Sequence, residues 1–275
     1  MKPTRKQIWT IAYPILISLL MENMIGLTDT AFLGRVGEVE LGASALGSVY
    51  YLVIFMLGFG FGIGAQILIA RRNGEKAYAL IGPLFQQGLL FLLSLATVMF
   101  VISHTFTPMV LRSLISSDEV YEAAVSYTNW RVFGFFFAFV AIMFRAFFVG
   151  ITNTKTLTLN SIVMVLSNVV LNYVLVFGKL GLPAMGIAGA AIASSASEMI
   201  SMVFFIVYTR LRIDHRKYGL FRFAGFSSKL LRGMLNVSVW TMIQMFVAIS
   251  TWFFFFIAVE HLGERPLAVT NIIRS

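Results

Sequence analysis

Thirty consecutive residues without a charge, Leu41 to Ala70, constrain this chain more than any motif does. Roughly 20 apolar residues in a helix cross the hydrocarbon of a bilayer, and there every backbone N–H and C=O must be satisfied within the protein. Comparable runs recur along the 275 residues, which are 59% hydrophobic and 12% charged, with a mean hydropathy of +0.86. That composition lies far from soluble domains. It predicts an all-α, polytopic membrane helical bundle.

Seven complete spans and the start of an eighth can be read in order. The first runs from about Ile8 to Leu33 and the second from Leu41 to Ala70, ending at the basic turn RRNGEK (71–76). The third runs from about Tyr78 to Ser103, with Pro108 and SSDE (116–119) closing it. The fourth, Tyr121 to Gly150, contains Arg131 and Arg145; the fifth is Leu157 to Gly178. The sixth, Ile187 to Tyr208, contains Glu198. A basic connector (210–232) leads to the seventh, Gly233 to Val259, and an eighth apolar segment starts at Leu267.

The formal net charge of +9 is distributed as an orientation signal. With the amino terminus in the cytoplasm, the inner segments hold fourteen Lys and Arg residues, Lys2, Arg71, Arg72, Lys155 and Arg216 among them; the outer loops hold Arg35, Arg112, Lys179 and Arg265. This inside excess orients the spans and removes the case for nucleic acid as a partner. The connector reads as a cytoplasmic linker drawn to anionic headgroups of membrane lipid. Without cysteine there is no disulfide, thiolate metal site or thiol nucleophile. A cleavable signal peptide is not expected, because the first apolar segment is long and interrupted by Pro14 and two acids.

Those acids, Glu22 and Asp29, lie in the first span with no cation between Lys6 and Arg35. Their spacing of seven residues puts them on nearly one face, roughly 10 Å apart. A charge at the bilayer centre costs about 2.5–3.5 kcal/mol even on insertion scales, so this face should look on a cavity or another helix. Asp29 is either part of an ion or substrate path or a partner for a neighbouring helix end. Pro14 removes a backbone hydrogen bond early in the same span and should bend it.

Shifting the chain by 226 positions lays VGEVELGAS (36–44) on LGERPLAVT (262–270), matching Gly37 with Gly263, Glu38 with Glu264 and Leu41 with Leu267. Span seven thus restarts what span one began, in the same orientation, as in transporters built from parallel repeats. Most of a second copy lies outside these residues, so the chain reads as part of a longer protein.

The stretches PILISLLMENMIGLTDTAFLGRVGEVELGASAL (14–46), GFGFGIGAQILIARRNGE (58–75), FRAFFVGITNTK (144–155) and SNVVLNYVLVFGKLGLPAMGIAGAAIAS (167–194) resemble the multidrug and toxic compound extrusion (MATE) transporters. The resemblance implies two six-helix lobes around a central cavity, here residues 1–228 as the first lobe and 229–275 as the start of the second. It implies a bacterial inner-membrane antiporter, monomeric when full length, that exports small organic cations in exchange for H+ or Na+ without a cofactor or enzymatic activity. By the same resemblance Asp29 is the coupling acid, with Asn168 and Asn172 of the fifth span beside it. Some relatives have an aspartate at the second of that pair; Asn172 cannot titrate, which leaves protons to Asp29 and Glu22. Span seven lacks the glutamate of sodium-dependent relatives and offers only Gln244.

Read from the residues themselves, carboxamides such as Asn168 and Asn172 supply oxygen ligands without charge, or join helices. Glu198, among the small residues AIASSASEMIS (191–201), is expected to hydrogen-bond a neighbouring helix or Arg145, or to take part in coupling. Tyr127, Trp130 and Arg131 are candidates for a substrate cavity together with Glu198 and Gln244, as are the aromatic runs at 134–139 and 252–256. GFGFGIG (58–64) lies mid-span with no strand before it, so close helix packing explains it better than nucleotide binding. His104, His215 and His261 have no metal-ligand spacing. Two other functions remain open: a lipid-linked oligosaccharide flippase of the same superfamily, favoured by Arg131, and an inactive half-transporter.

Overall fold

In a computed structural model, residues 5–222 and 225–274 are described; Lys2, counted above for orientation, lies outside them. The described chain is helical throughout, with no strand. The helices are α1 (Arg5–Leu33), α2 (Glu38–Gly74), α3 (Ile81–Leu114, preceded by a 3-10 turn at Tyr78–Leu80), α4 (Asp118–Arg131), α5 (Gly134–Gly150), α6 (Lys155–Phe177), α7 (Gly186–Arg212), α8 (Ser228–Glu260) and α9 (Glu264–Arg274). Six are long and apolar enough to cross a membrane, and α4 with α5 makes a seventh, bent span.

Two expected boundaries move. Span three does not close at Pro108, because α3 carries the proline within it and continues to Leu114. The extra turn is retained because Leu111 is buried in the core. Span four is not one helix: α4 and α5 meet at 50°. Gly134 opens the second helix, and the Ser195 hydroxyl of α7 donates to the Trp130 and Arg131 carbonyls (3.3 and 3.4 Å), which the break leaves short of helical partners. At the carboxyl end of α2, Arg71 and then Arg72 hydrogen-bond the exposed Glu75 and hold its carboxyl below its ordinary value.

The glycines of α2 set the helix packing. Gly58 and Gly62 lie against Phe139 and Ile142 of α5, while Gly60 and Gly64 lie against Met242 and Ser238 of α8. Each pair is spaced by four, and the pairs are offset by two, so they occupy opposite faces of one helix. A β-carbon at any of the four would overlap its neighbour. Ser238 uses the close approach to donate to the Phe61 carbonyl across the helices (3.3 Å). The aromatic run of α5 fills the core rather than a pocket: Phe135 and Phe139 are fully buried.

The α8 helix is largely exposed, with 17% of its most apolar stretch buried. It is not, however, set apart from the other spans: α3 has the same share and α1 only 6%, against 44% in α2 and half in α7. Its seating along α2 encloses it as well as α3. The connector also does more than link. Its carbonyls at Arg222 and Gly225 accept from Gln86 and Gln87 of α3, Leu220 is buried, and Gly219 packs on Gly82.

Valine at position 64 should therefore cost about 1–3 kcal/mol through overpacking, lowering the melting temperature in detergent. Alanine at Gly74, where an added β-carbon meets open space, should leave it unchanged.

Candidate functional site

One polar face fastens α1 to its neighbours. The Pro14 carbonyl accepts from Thr158 (3.0 Å), Ser18 accepts from Ser161 (3.0 Å), Glu22 pairs with Arg145, and Asp29 meets α6 and α7. Positions 14, 18, 22 and 29 follow steps of four and seven, so they form one stripe. The α1 helix continues through Pro14 along this stripe.

Around Asp29, Asn172 Nδ2 donates to Oδ1 at 2.7 Å and Asn168 Nδ2 at 3.3 Å, while Ser194 Oγ donates to Oδ2 at 2.8 Å. Asn168 also bridges to Ser194 (3.2 Å) and accepts from Asn172 (3.1 Å), which locks the three side chains to one another. Asn168 and Asn172 are fully buried and Ser194 nearly so; Asp29 itself keeps intermediate exposure. The α6 helix places its pair by ending at Gly178 in the left-handed region (φ 67°), six residues past Asn172. Its partners among the described residues are all neutral. Asn172 Oδ1 is buried with no hydrogen-bond donor, a free oxygen beside the carboxylate. One carboxylate with carboxamide and hydroxyl oxygens suits a proton or a hard monovalent cation. No group of three or more His, Cys, Asp or Glu able to hold a metal occurs among the described residues.

Glu22 and Glu198 have their own arginines. Glu198 does not meet Arg145. It accepts a bidentate pair from Arg131 (2.6 and 2.9 Å) and a bond from the Tyr51 hydroxyl (2.9 Å). Depth explains the choice. Glu198 lies twelve residues into α7 and Arg131 thirteen into α4, roughly 18–20 Å from the same membrane face at 1.5 Å per residue. Arg145 lies fourteen residues further along and reaches Glu22 instead. The Arg131 guanidinium stands 3.5 Å from the Tyr51 ring centroid, and Tyr51 stacks on Phe135 (4.7 Å, 4°). Gly134 leaves room for this pair, since a β-carbon there would overlap both charged groups.

Of the expected cavity residues, Tyr127, Arg131 and Glu198 lie together, and Trp130 and Gln244 lie apart from them on exposed surface. Arg131 and Glu198 are sealed in a neutral pair, and Tyr127 is buried against Gly47 of α2. Trp130 is 47% exposed, and Gln244 is exposed on α8. Ser194, Tyr51 and Ser195 escaped the sequence reading. The signal for the first was its spacing of four from Glu198 in a serine-rich stretch; for Tyr51 there was none.

Removing the buried arginine should be costly. Arg131→Met leaves Glu198 unpaired and should destabilise the protein by roughly 3–5 kcal/mol, while the double change Arg131→Met with Glu198→Leu should recover most of that loss. A thermal or denaturant double-mutant cycle reads both values.

The MatE family model matches residues 14–174. A probable multidrug resistance protein NorM of Mannheimia succiniciproducens is 26% identical over 217 residues, covering 78% of this chain and 46% of the relative. The NorM protein of Synechocystis sp. is 29% identical over 223 residues, covering 80% and 48%. Among solved structures, the eukaryotic MATE transporter AtDTX14 aligns over 97% of this chain and 59% of its own, with a TM-score of 0.83 at 20% identity. An inward-facing multidrug resistance MATE family transporter of the MOP superfamily aligns over 97% and 60%, with a TM-score of 0.79 at 21% identity. The chain spans about half the length of the curated relatives it matches.

Proposed function

The chain belongs to the MatE family of multi-pass membrane transporters, and from that premise we propose that it contributes the first lobe, and the start of the second, of an antiporter. The antiporter exports organic cations across the bacterial inner membrane in exchange for H+ or Na+. Asp29 is the coupling group. One observation carries this reading: of the three acids singled out in the sequence, Glu22 and Glu198 are each neutralised by an arginine, and Asp29 hydrogen-bonds neutral donors alone.

An acid so placed keeps a net negative charge until a cation or proton arrives. Either ligand cancels it, and the arrival of a cationic substrate makes the coupling ion less favourable; that competition is what exchange requires. Asn168, Asn172 and Ser194 hold the carboxylate in place without adding charge. Glu22, half-exposed seven residues deeper, is open to a substrate cation that displaces Arg145. The lobe boundary near residue 228 is supported by the repeated turn, since α9 begins at Glu264 as α2 begins at Glu38, 226 positions apart. The excess of inner cations supports a cytoplasmic amino terminus. A lipid-linked oligosaccharide flippase is less well served, because Arg131 and Arg145 are both occupied by carboxylates and unavailable to a pyrophosphate.

The test is export of a fluorescent cationic dye from cells or vesicles, using the longest reading frame that contains this chain, with proton and sodium gradients collapsed separately. Asp29→Asn should reduce gradient-driven export at least tenfold with membrane yield unchanged. Asn172→Ala should retain partial export. Full export by Asp29→Asn would contradict the assignment.

A further inference from the structure

Glu260 is not used by the coupling site, yet it is among the most completely engaged acids of the chain. It is the last residue of α8 and is 3% exposed. Its Oε1 accepts from the Ser116 and Ser117 backbone N–H groups (3.0 and 3.1 Å), and Oε2 shares the Ser116 N–H (3.2 Å). These N–H groups belong to the turn between α3 and α4, some 140 residues earlier in the sequence. Four positions on, Glu264 at the start of α9 accepts from the Ser117 hydroxyl (2.6 Å), and that hydroxyl also accepts from Val120 N–H as the cap of α4. Two carboxylates from the α8–α9 turn thus clasp one α3–α4 turn.

The chemistry is favourable. A carboxylate at the amino end of a helix meets the positive end of the helix dipole, and hydrogen bonds from backbone N–H to a charged acceptor are the stronger kind. The contact caps an apolar seal in which Phe256, Ile257 and Val259 of α8 join Leu41 of α2, Leu111 of α3, Ile115 just after it, and Val120 of α4. Beneath it, a cavity of about 180 Å³ lies between α2 and α8, lined by Val49, Leu52, Ile249 and Trp252. The position is also distinctive. The internal repeat lays Glu260 on Gly34, so the acid is not part of what the two halves share.

We propose that Glu260 is a positioning residue for transport: an outer latch that holds the α8–α9 turn on the α3–α4 turn and whose release lets the outer face open. The proposal rests on the export reading and its orientation. Both turns lie at the end of the bundle read as outer, where water is at hand. A contact made there can be exchanged for hydration at small net cost, whereas the same contact in hydrocarbon would be fixed. The Asp29 cluster and the Arg131–Glu198 pair are inside the bundle, so opening at the latch leaves them intact. Glu264 is the weaker arm, because it holds a single hydroxyl.

The chain has no cysteine of its own, so reporters are easily placed. Ser113 and Leu262 are both exposed and outside the latch; Ser113 bonds only its own helix, and Leu262 is 74% exposed. Nitroxides on Ser113→Cys and Leu262→Cys, in the longest reading frame reconstituted in nanodiscs, report the separation of the two turns by pulsed electron resonance. Glu260→Gln should raise the long-distance population at least threefold. Glu264→Gln should shift it the same way by less, and it carries the test if Glu260→Gln fails to insert. Distributions identical to wild type in both variants overturn the latch. Dye export measured on the same proteins keeps the two claims apart: a wild type without gradient-driven export counts against the proposed function, while the distance comparison still decides the latch.

Discussion

The arrangement depends on how α7 satisfies the charges its neighbours bring into the membrane. In hydrocarbon a polar side chain has no water to fall back on, so its partner must come from the bundle. One serine-rich face of α7 supplies them: Ser194 to Asp29 of α1, Ser195 to the broken end of α4, Glu198 to Arg131, and Ser201 to Asn160 of α6. Three helices, α1, α4 and α6, are thereby registered against a single one. The bend between α4 and α5 follows from this, since the unpaired carbonyls at the break and the arginine beside them all find α7.

The same bookkeeping separates structure from function. Glu22 and Glu198 are matched by arginines, and their removal is a matter of stability. The third, Asp29, is matched only by neutral donors, and the Asn172 carboxamide that donates to it keeps a buried oxygen without a donor. A site of this kind is stable when a positive charge arrives and tolerable when it leaves, because three hydrogen bonds remain. Packing through the glycines of α2 belongs to another layer. It brings α5 and α8 to opposite sides of one helix and so joins the first six spans to the seventh.

Much of this was legible in the residues. The uncharged runs define the helices, and the period of the helix puts Asn168 and Asn172 on one face. The repeat at 226 positions sets the start of α9 at Glu264 as that of α2 is set at Glu38. The glycine spacing in 58–64 pointed to close packing, which is what the structure shows. Partnerships between distant segments were not legible. That Arg131 takes Glu198 and Arg145 takes Glu22 depends on relative depth and tilt, which no local pattern encodes. The break at residue 132 is hidden because its cause, Ser195, lies on another helix. Pro108 was misleading for the opposite reason: a local helix breaker was overridden by burial of the turn beyond it. Glu260 gave no signal in the sequence, because its donors are backbone groups and leave no trace in side-chain identity.

The central claim is that Asp29, and not Glu22 or Glu198, exchanges a positive charge. Infrared difference spectroscopy of the purified protein in nanodiscs tests it directly. The carboxyl bands are followed across a pH step, with and without sodium, in wild type, Asp29→Asn and Glu22→Gln. The account predicts a band that responds to pH or sodium in wild type and Glu22→Gln and is missing in Asp29→Asn. The same response persisting in Asp29→Asn would contradict it.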